Sequence, residues 1–211
     1  GGGGFGGGGA NAGPFVLPAT YQVSLIVEGR TVGTKPLKVM ADPEVALTQV
    51  ERQKMFDMAM ELHALQRQTT EVSSRLRPLT ARVAELSKEI AGKSDLPAEV
   101  RTSFEAFNKE LTAVWTRFVQ AAGGRGGGRG GVTPEVNPVA QMTQAKNALM
   151  GGMWPTQQML DAYAGAKAGV PKAIEEVNAL LTRAASLSTT LAKYNLTLTV
   201  PPPTKPTEAT K

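Results

Sequence analysis

Apolar residues recur at alternating steps of four and three through residues 58–90: Met58, Leu62, Leu65, Val72, Leu76, Leu79, Val83, Leu86 and Ile90, with Thr69 in the one polar slot. This spacing keeps a single stripe of a helix apolar for about nine turns. The phase survives Pro78, so the pattern predicts one helix kinked near Ser74, where proline removes a backbone hydrogen bond. Asp42-Pro43-Glu44 reads as its start: Asp caps, Pro suits the first helical position and Glu faces the positive helix end. A helix over residues 43–90 would span roughly 70 Å and cannot bury such a stripe by itself.

The partners for that stripe follow in the chain. After the turn Gly92-Lys93-Ser94-Asp95, the residues Val100, Phe104, Phe107, Leu111, Val114 and Phe118 repeat the same spacing. A short connection between matching seams predicts an antiparallel helix pair, with the second helix on the distal half of the first. A third helix is expected over residues 138–150, with Val139, Met142 and Leu149 on one face. Thr156 then stands as a cap for a helix over residues 157–182, whose seam is Met159, Tyr163, Ala166, Val170, Ile174, Val177 and Leu181. Gly169 and Pro171 should bend it, and a short separate helix is expected over 187–193.

Ahead of the helices the period changes. Tyr21, Val23, Leu25 and Val27 alternate with Gln22 and Ser24, the pattern of a half-buried strand. Glu28-Gly29 supplies a tight turn, and a return strand is expected over 31–39, with Pro36 marking an edge or a bulge. An isolated two-stranded hairpin is marginal in water, so this one is expected to complete a β-sandwich with strands from elsewhere. The chain also opens on Gly1 without Met, which reads as the remnant of a longer protein. The expected fold is therefore mainly α: a long antiparallel helix hairpin or bundle preceded by a β-hairpin that completes a sandwich. Its segments are a Gly-rich linker (1–13), the hairpin (14–41), the long helix with its antiparallel partner (42–122), a Gly/Arg-rich loop (123–134), a second helical pair (135–196) and a Pro/Thr-rich extended tail (197–211).

Chemistry is sparse. The chain has no cysteine and one histidine, His63, which excludes thiolate metal sites and the usual zinc sets. No glycine run opens onto a Lys-Ser/Thr pair, so there is no phosphate loop. Glu175-Glu176 and the other carboxylates fall on amphipathic helices, where they read as a solvated face. No catalytic constellation, cofactor site or metal site is expected, and no run of 18 apolar residues predicts a membrane span. The interaction candidates are Trp115 and Trp154, which either pack at interhelix edges or mark a docking surface, and Arg125 and Arg129 in the Gly/Arg loop. With a formal net charge of +5, those arginines support an alternative reading, a stand-alone binder of single-stranded nucleic acid or another polyanion. Without an aromatic to stack on bases, the segment is expected to be a plain flexible loop, and nucleic acid is not the expected partner.

Two stretches resemble a known family. Residues 18–29 (Pro-Ala-Thr-Tyr-Gln-Val-Ser-Leu-Ile-Val-Glu-Gly), with Lys35-Pro36-Leu37-Lys38-Val39 and Asp42-Pro43, look like the end of a small β-sandwich. With Trp154-Pro155-Thr156-Gln157, Asp161-Ala162-Tyr163-Ala164 and Asn195-Leu196-Thr197-Leu198, they are similar to the C-terminal region of secreted bacterial β-propeller proteins, those with bacterial-neuraminidase-type (sortilin-like) repeats, often labelled glycosidase-like. Ala19 stands where that pattern has Gly, which favours a type I turn over a positive φ. The resemblance implies a non-catalytic structural or interaction module, secreted, periplasmic or at the cell surface. It would dock onto the upstream part of its parent or another chain, or form a homo-oligomer. The propeller, where any glycan chemistry would sit, is absent from these residues, and no catalytic residue carries over.

Overall fold

The computed structural model describes residues 13–122 and 137–204. Their order is β1 (Ala19–Val27), β2 (Arg30–Val39), α1 (Gln49–Gly92), α2 (Ala98–Ala122), α3 (Pro138–Leu149) and α4 (Gln157–Ala192). The fold is mainly α, with a two-stranded antiparallel hairpin in front of the helices. No sandwich forms among the described residues: the sheet has two strands, and neither packs on a helix.

The helices make an up-down-up bundle of three rods. α2 returns along the distal part of α1, fixed by Arg101, whose guanidinium donates to the carbonyls of Ile90 (2.9 Å) and Lys93 (2.8 Å) at the end of α1. α3 continues the second rod in the same direction. Asn137 caps it by accepting from the Val139 and Ala140 amides, and its own amide donates to the Arg117 carbonyl of α2 at 2.9 Å. α4 then runs parallel to α1, tied to α2 by Arg117–Glu176 at 2.6 Å and by Arg183–Glu110, and to α1 by Lys167–Glu61 at 2.8 Å. One core runs the length of this assembly, from Met55 and Ala59 through Leu76, Leu111 and Ile174 to Leu86 and Leu191.

Several expectations are corrected. α1 begins at Gln49, not at Asp42: Thr48 and Glu51 form a reciprocal capping box that satisfies the first helical amides. Asp42 instead folds back on itself, its Oδ1 accepting from the Glu44 amide at 2.9 Å, and so builds a turn. In the first third of α1 the buried stripe is Met55, Ala59, Leu62 and Gln66, while Met58 and Leu65 are only half-buried, where α3 rather than the antiparallel α2 lies along α1. α4 is continuous to Ala192, so no separate helix follows it. Pro78 and Pro171 both lie on exposed faces, where the carbonyl each deprives of a partner can reach water. Thr156 holds the cap position of α4 without a side-chain bond. Ala19 is the first residue of β1 rather than part of a turn.

The Pro/Thr-rich end also departs from expectation. Asn195, at φ +59°, reverses the chain after α4, and residues 196–204 run back along α1 and α4. Leu196 and Leu198 are buried, and Arg75 and Arg82 on α1 donate to the carbonyls of Pro202, Pro203 and Thr197. Asn178 brackets Thr204 from both sides, donating to its carbonyl and accepting from its amide. This segment is a packed strap.

Candidate docking surface

The hairpin is closed by Glu28 (φ +49°) and Gly29 (φ +79°), the two positive φ values of a type I′ turn, whose twist suits a two-residue loop between antiparallel strands. Val27 pairs with Arg30 and Ile26 with Thr31, after which Val32 is extra and Leu25 pairs with Gly33. Beyond this bulge the register runs Ser24–Thr34, Val23–Lys35, Gln22–Pro36 and Tyr21–Leu37, to Ala19–Val39. The Ser24 and Thr34 hydroxyls meet at 2.9 Å across the strands. Tyr21 anchors the base of β1 by donating from its hydroxyl to the Leu17 carbonyl at 2.7 Å.

Among the described residues nothing covers either face or pairs with either outer edge of this hairpin. Val23, Leu25, Ile26, Val27, Val32 and Leu37 are all exposed, Leu25 at 62%. At the same end of the molecule, Phe15 and Val16 border a small hollow of about 130 Å³ against Met55, Phe56 and Leu149, and Met40 stands exposed just after β2. The remaining large exposed apolar side chains are Val50, Met60, Met153, Trp154 and Met159. Every one in the described chain thus falls in residues 15–60 or 153–159, and none on the distal bundle. Single exposed apolar residues are ordinary; a concentration at one end marks an interaction surface.

Trp154, 42% exposed, belongs to this end and borders a shallow hollow of about 390 Å³ with Met58, Leu160, Tyr163, Asp57 and Glu61. Burial pushes the Glu61 carboxyl up, but bonds from Lys167 and the Tyr163 hydroxyl outweigh it and hold the group below the ordinary carboxylate range. Glu61 is thereby committed to the bundle. Trp115 is half-buried and packs on the core, so it is not a docking residue of this surface. Arg125 and Arg129, with the rest of the Gly/Arg loop, lie outside the described residues.

Elsewhere a groove of about 560 Å³ runs between α2 and α4, floored by Val100, Phe107 and Leu187 and rimmed by the paired Glu110 and Arg183. A buried polar contact, which no sequence motif marks, joins α3 to α1. Lys146 on α3 is 3% exposed and reaches Gln66 Oε1 and, at 3.2 Å, His63 Nδ1. Its spacing four residues after Met142 already put it on the buried face. Among the described residues no cluster of His, Asp or Glu could hold a metal ion, and no helix is long and apolar enough to cross a membrane. No family model, curated protein or solved structure matches the chain.

Proposed function

We propose that this chain is a non-catalytic docking module whose helical bundle holds out an adhesive hairpin end. The partner is a second β-bearing body, either the upstream part of its own parent or another chain, and the hairpin joins it by strand addition. The observation that carries this reading is the confinement of the large exposed apolar side chains to residues 15–60 and 153–159. Strand addition fits because a hairpin with both edges unpaired offers backbone donors and acceptors along nine residues of β1. The resemblance to the C-terminal region of secreted bacterial β-propeller proteins supports a parent of that kind, acting outside the cytoplasm.

A photo-cross-linking residue in place of Leu25, in the protein produced by its native cell, tests the reading. An adduct whose cross-linked peptide maps to a β-strand is the expected result. Adducts from a probe at Ser186 in the α2–α4 groove, with none from Leu25, would overturn it.

A further inference from the structure

The two open edges of the hairpin are unlike. β2 carries Arg30, Lys35 and Lys38, Pro36, and the bulge at Val32, features that discourage another strand from pairing. β1 contains no charged residue, no proline and no glycine over its nine residues. Its outward backbone groups follow from the register. The two-residue turn closes on a hydrogen-bonded Val27–Arg30 pair, and pairs alternate from there, so Ser24–Thr34 and Gln22–Pro36 exchange no backbone bonds. The absent N–H of Pro36 agrees with that assignment. The N–H and C=O groups of Thr20, Gln22 and Ser24 therefore point away from β2, along an uninterrupted edge.

We propose that this edge is taken by a second copy of the same chain, β1 running antiparallel to β1 about a two-fold axis at Val23. This rests on the docking reading and names its partner. Val23 is the middle of the strand, and the fully overlapped register is self-complementary. Val23 meets its own counterpart, Tyr21 meets the partner's Leu25, Gln22 meets the partner's Ser24 and Thr20 meets the partner's Ile26. Apolar pairs share one face and polar or mixed pairs the other, and no like charges oppose one another. Joining two β2 edges would instead bring the cations of both copies together.

Pairing converts two marginal hairpins into a four-stranded sheet, above the three strands that such a sheet needs for independent stability. Nine paired residues alone fall short of the roughly 800 Å² per partner of a stable interface. The same antiparallel register supplies more, because it sets Val27 opposite the partner's Ala19. The tip of each hairpin then lies opposite the partner's Pro18, next to the segment that carries Phe15 and Val16, which are exposed in the single chain.

The chain has no cysteine, so one introduced thiol reports the contact without background. In the non-hydrogen-bonded pair at the axis, the two Cα atoms would stand about 4.5 Å apart. V23C should form an interchain disulfide under mild oxidation, whereas K35C on the other strand should not. Sedimentation of the unmodified chain should show a reversible dimer, and V23K should abolish it with helical circular dichroism unchanged. A chain that stays monomeric at high concentration, with V23C cross-linking no faster than K35C, overturns the proposal. Cross-linking from Leu25 to a different polypeptide would then still leave the docking reading standing, while no adduct to any chain would remove both.

Discussion

Lys146 brings an ammonium group into a position that is 3% exposed, where it donates to Gln66 Oε1 and stands 3.2 Å from His63 Nδ1. That geometry requires His63 to be neutral, with its proton on Nε2. Burial lowers the His63 pKa most, with the charges of Lys146 and Arg67 adding to it against an opposing bond to Gln66. A base whose folded pKa is depressed stabilises the fold above its unfolded value. That contribution is lost as pH falls from about 6.5 through the lower folded midpoint. With a single histidine in the chain, one imidazole resonance follows the titration. Its midpoint should lie below the ordinary value, and Lys146→Met should raise it without restoring it fully, since burial and Arg67 remain. A midpoint unmoved by that substitution would show that the contact is not felt. Glycines make a second test at this scale. A Cβ on Gly169 would lie 2.6 Å from Pro138 Cβ, so Gly169→Ala should cost about 1–3 kcal/mol by forcing α3 and α4 apart. Gly92→Ala, with nothing within 4 Å, should stabilise by about 0.4–1 kcal/mol. Urea denaturation of both variants measures the contrast.

The helices were legible wherever a single partner face repeats. Leu76, Leu79, Val83, Leu86 and Ile90 enter the common core at the spacing their sequence announces, and all are buried. Legibility falls where two signals compete or where distance in sequence decides. Asp42-Pro43-Glu44 and Thr48-x-x-Glu51 both read as helix starts; the second wins because its two side-chain bonds are reciprocal, whereas the Asp42 carboxylate is spent on a turn. The hairpin turn was plain from Glu28-Gly29, but the extra residue at Val32 has no mark in the sequence beyond a neighbouring glycine. Trp154 and Trp115 carry the same signal in the sequence, yet Trp154 is exposed while Trp115 packs on the core. The strap shows the largest gap. Its prolines argue against helix, but composition says nothing of a groove whose α1 wall lies more than a hundred positions earlier. Because Leu198 is 2% exposed and its carbonyl accepts from Ser188 at 2.6 Å, Leu198→Ala should cost about 2–5 kcal/mol in a thermal or chemical melt. A loss below about 0.5 kcal/mol would mean that the strap is a loose tail after all.

On the scale of the whole molecule, stability and adhesion are placed in different parts. The bundle owns the continuous core, while the hairpin touches no helix and leaves its large apolar side chains in solvent. Substitutions should then sort by location rather than by hydrophobicity. Leu25→Lys replaces a large apolar residue with a charge but disturbs no core contact, so the bundle's melting transition should stay within about 0.5 kcal/mol of the parent. Leu111→Ala, at a fully buried position, should lower it by about 2–5 kcal/mol. Amide exchange gives the same division without a mutation. The amides of Val23 and Leu25, which the register directs toward β2, should open with a free energy far below that of Leu79 or Leu111, because a two-stranded ribbon can fray while the bundle stays folded. Association changes that prediction in one direction only: at concentrations where β1 is paired, the outward amides of Gln22 and Ser24 should slow, and those of Leu79 and Leu111 should not. If the hairpin amides and the bundle amides instead exchanged with one common free energy at every concentration, the hairpin would be part of a single cooperative unit, and the separation of a stable stalk from an adhesive end would fail.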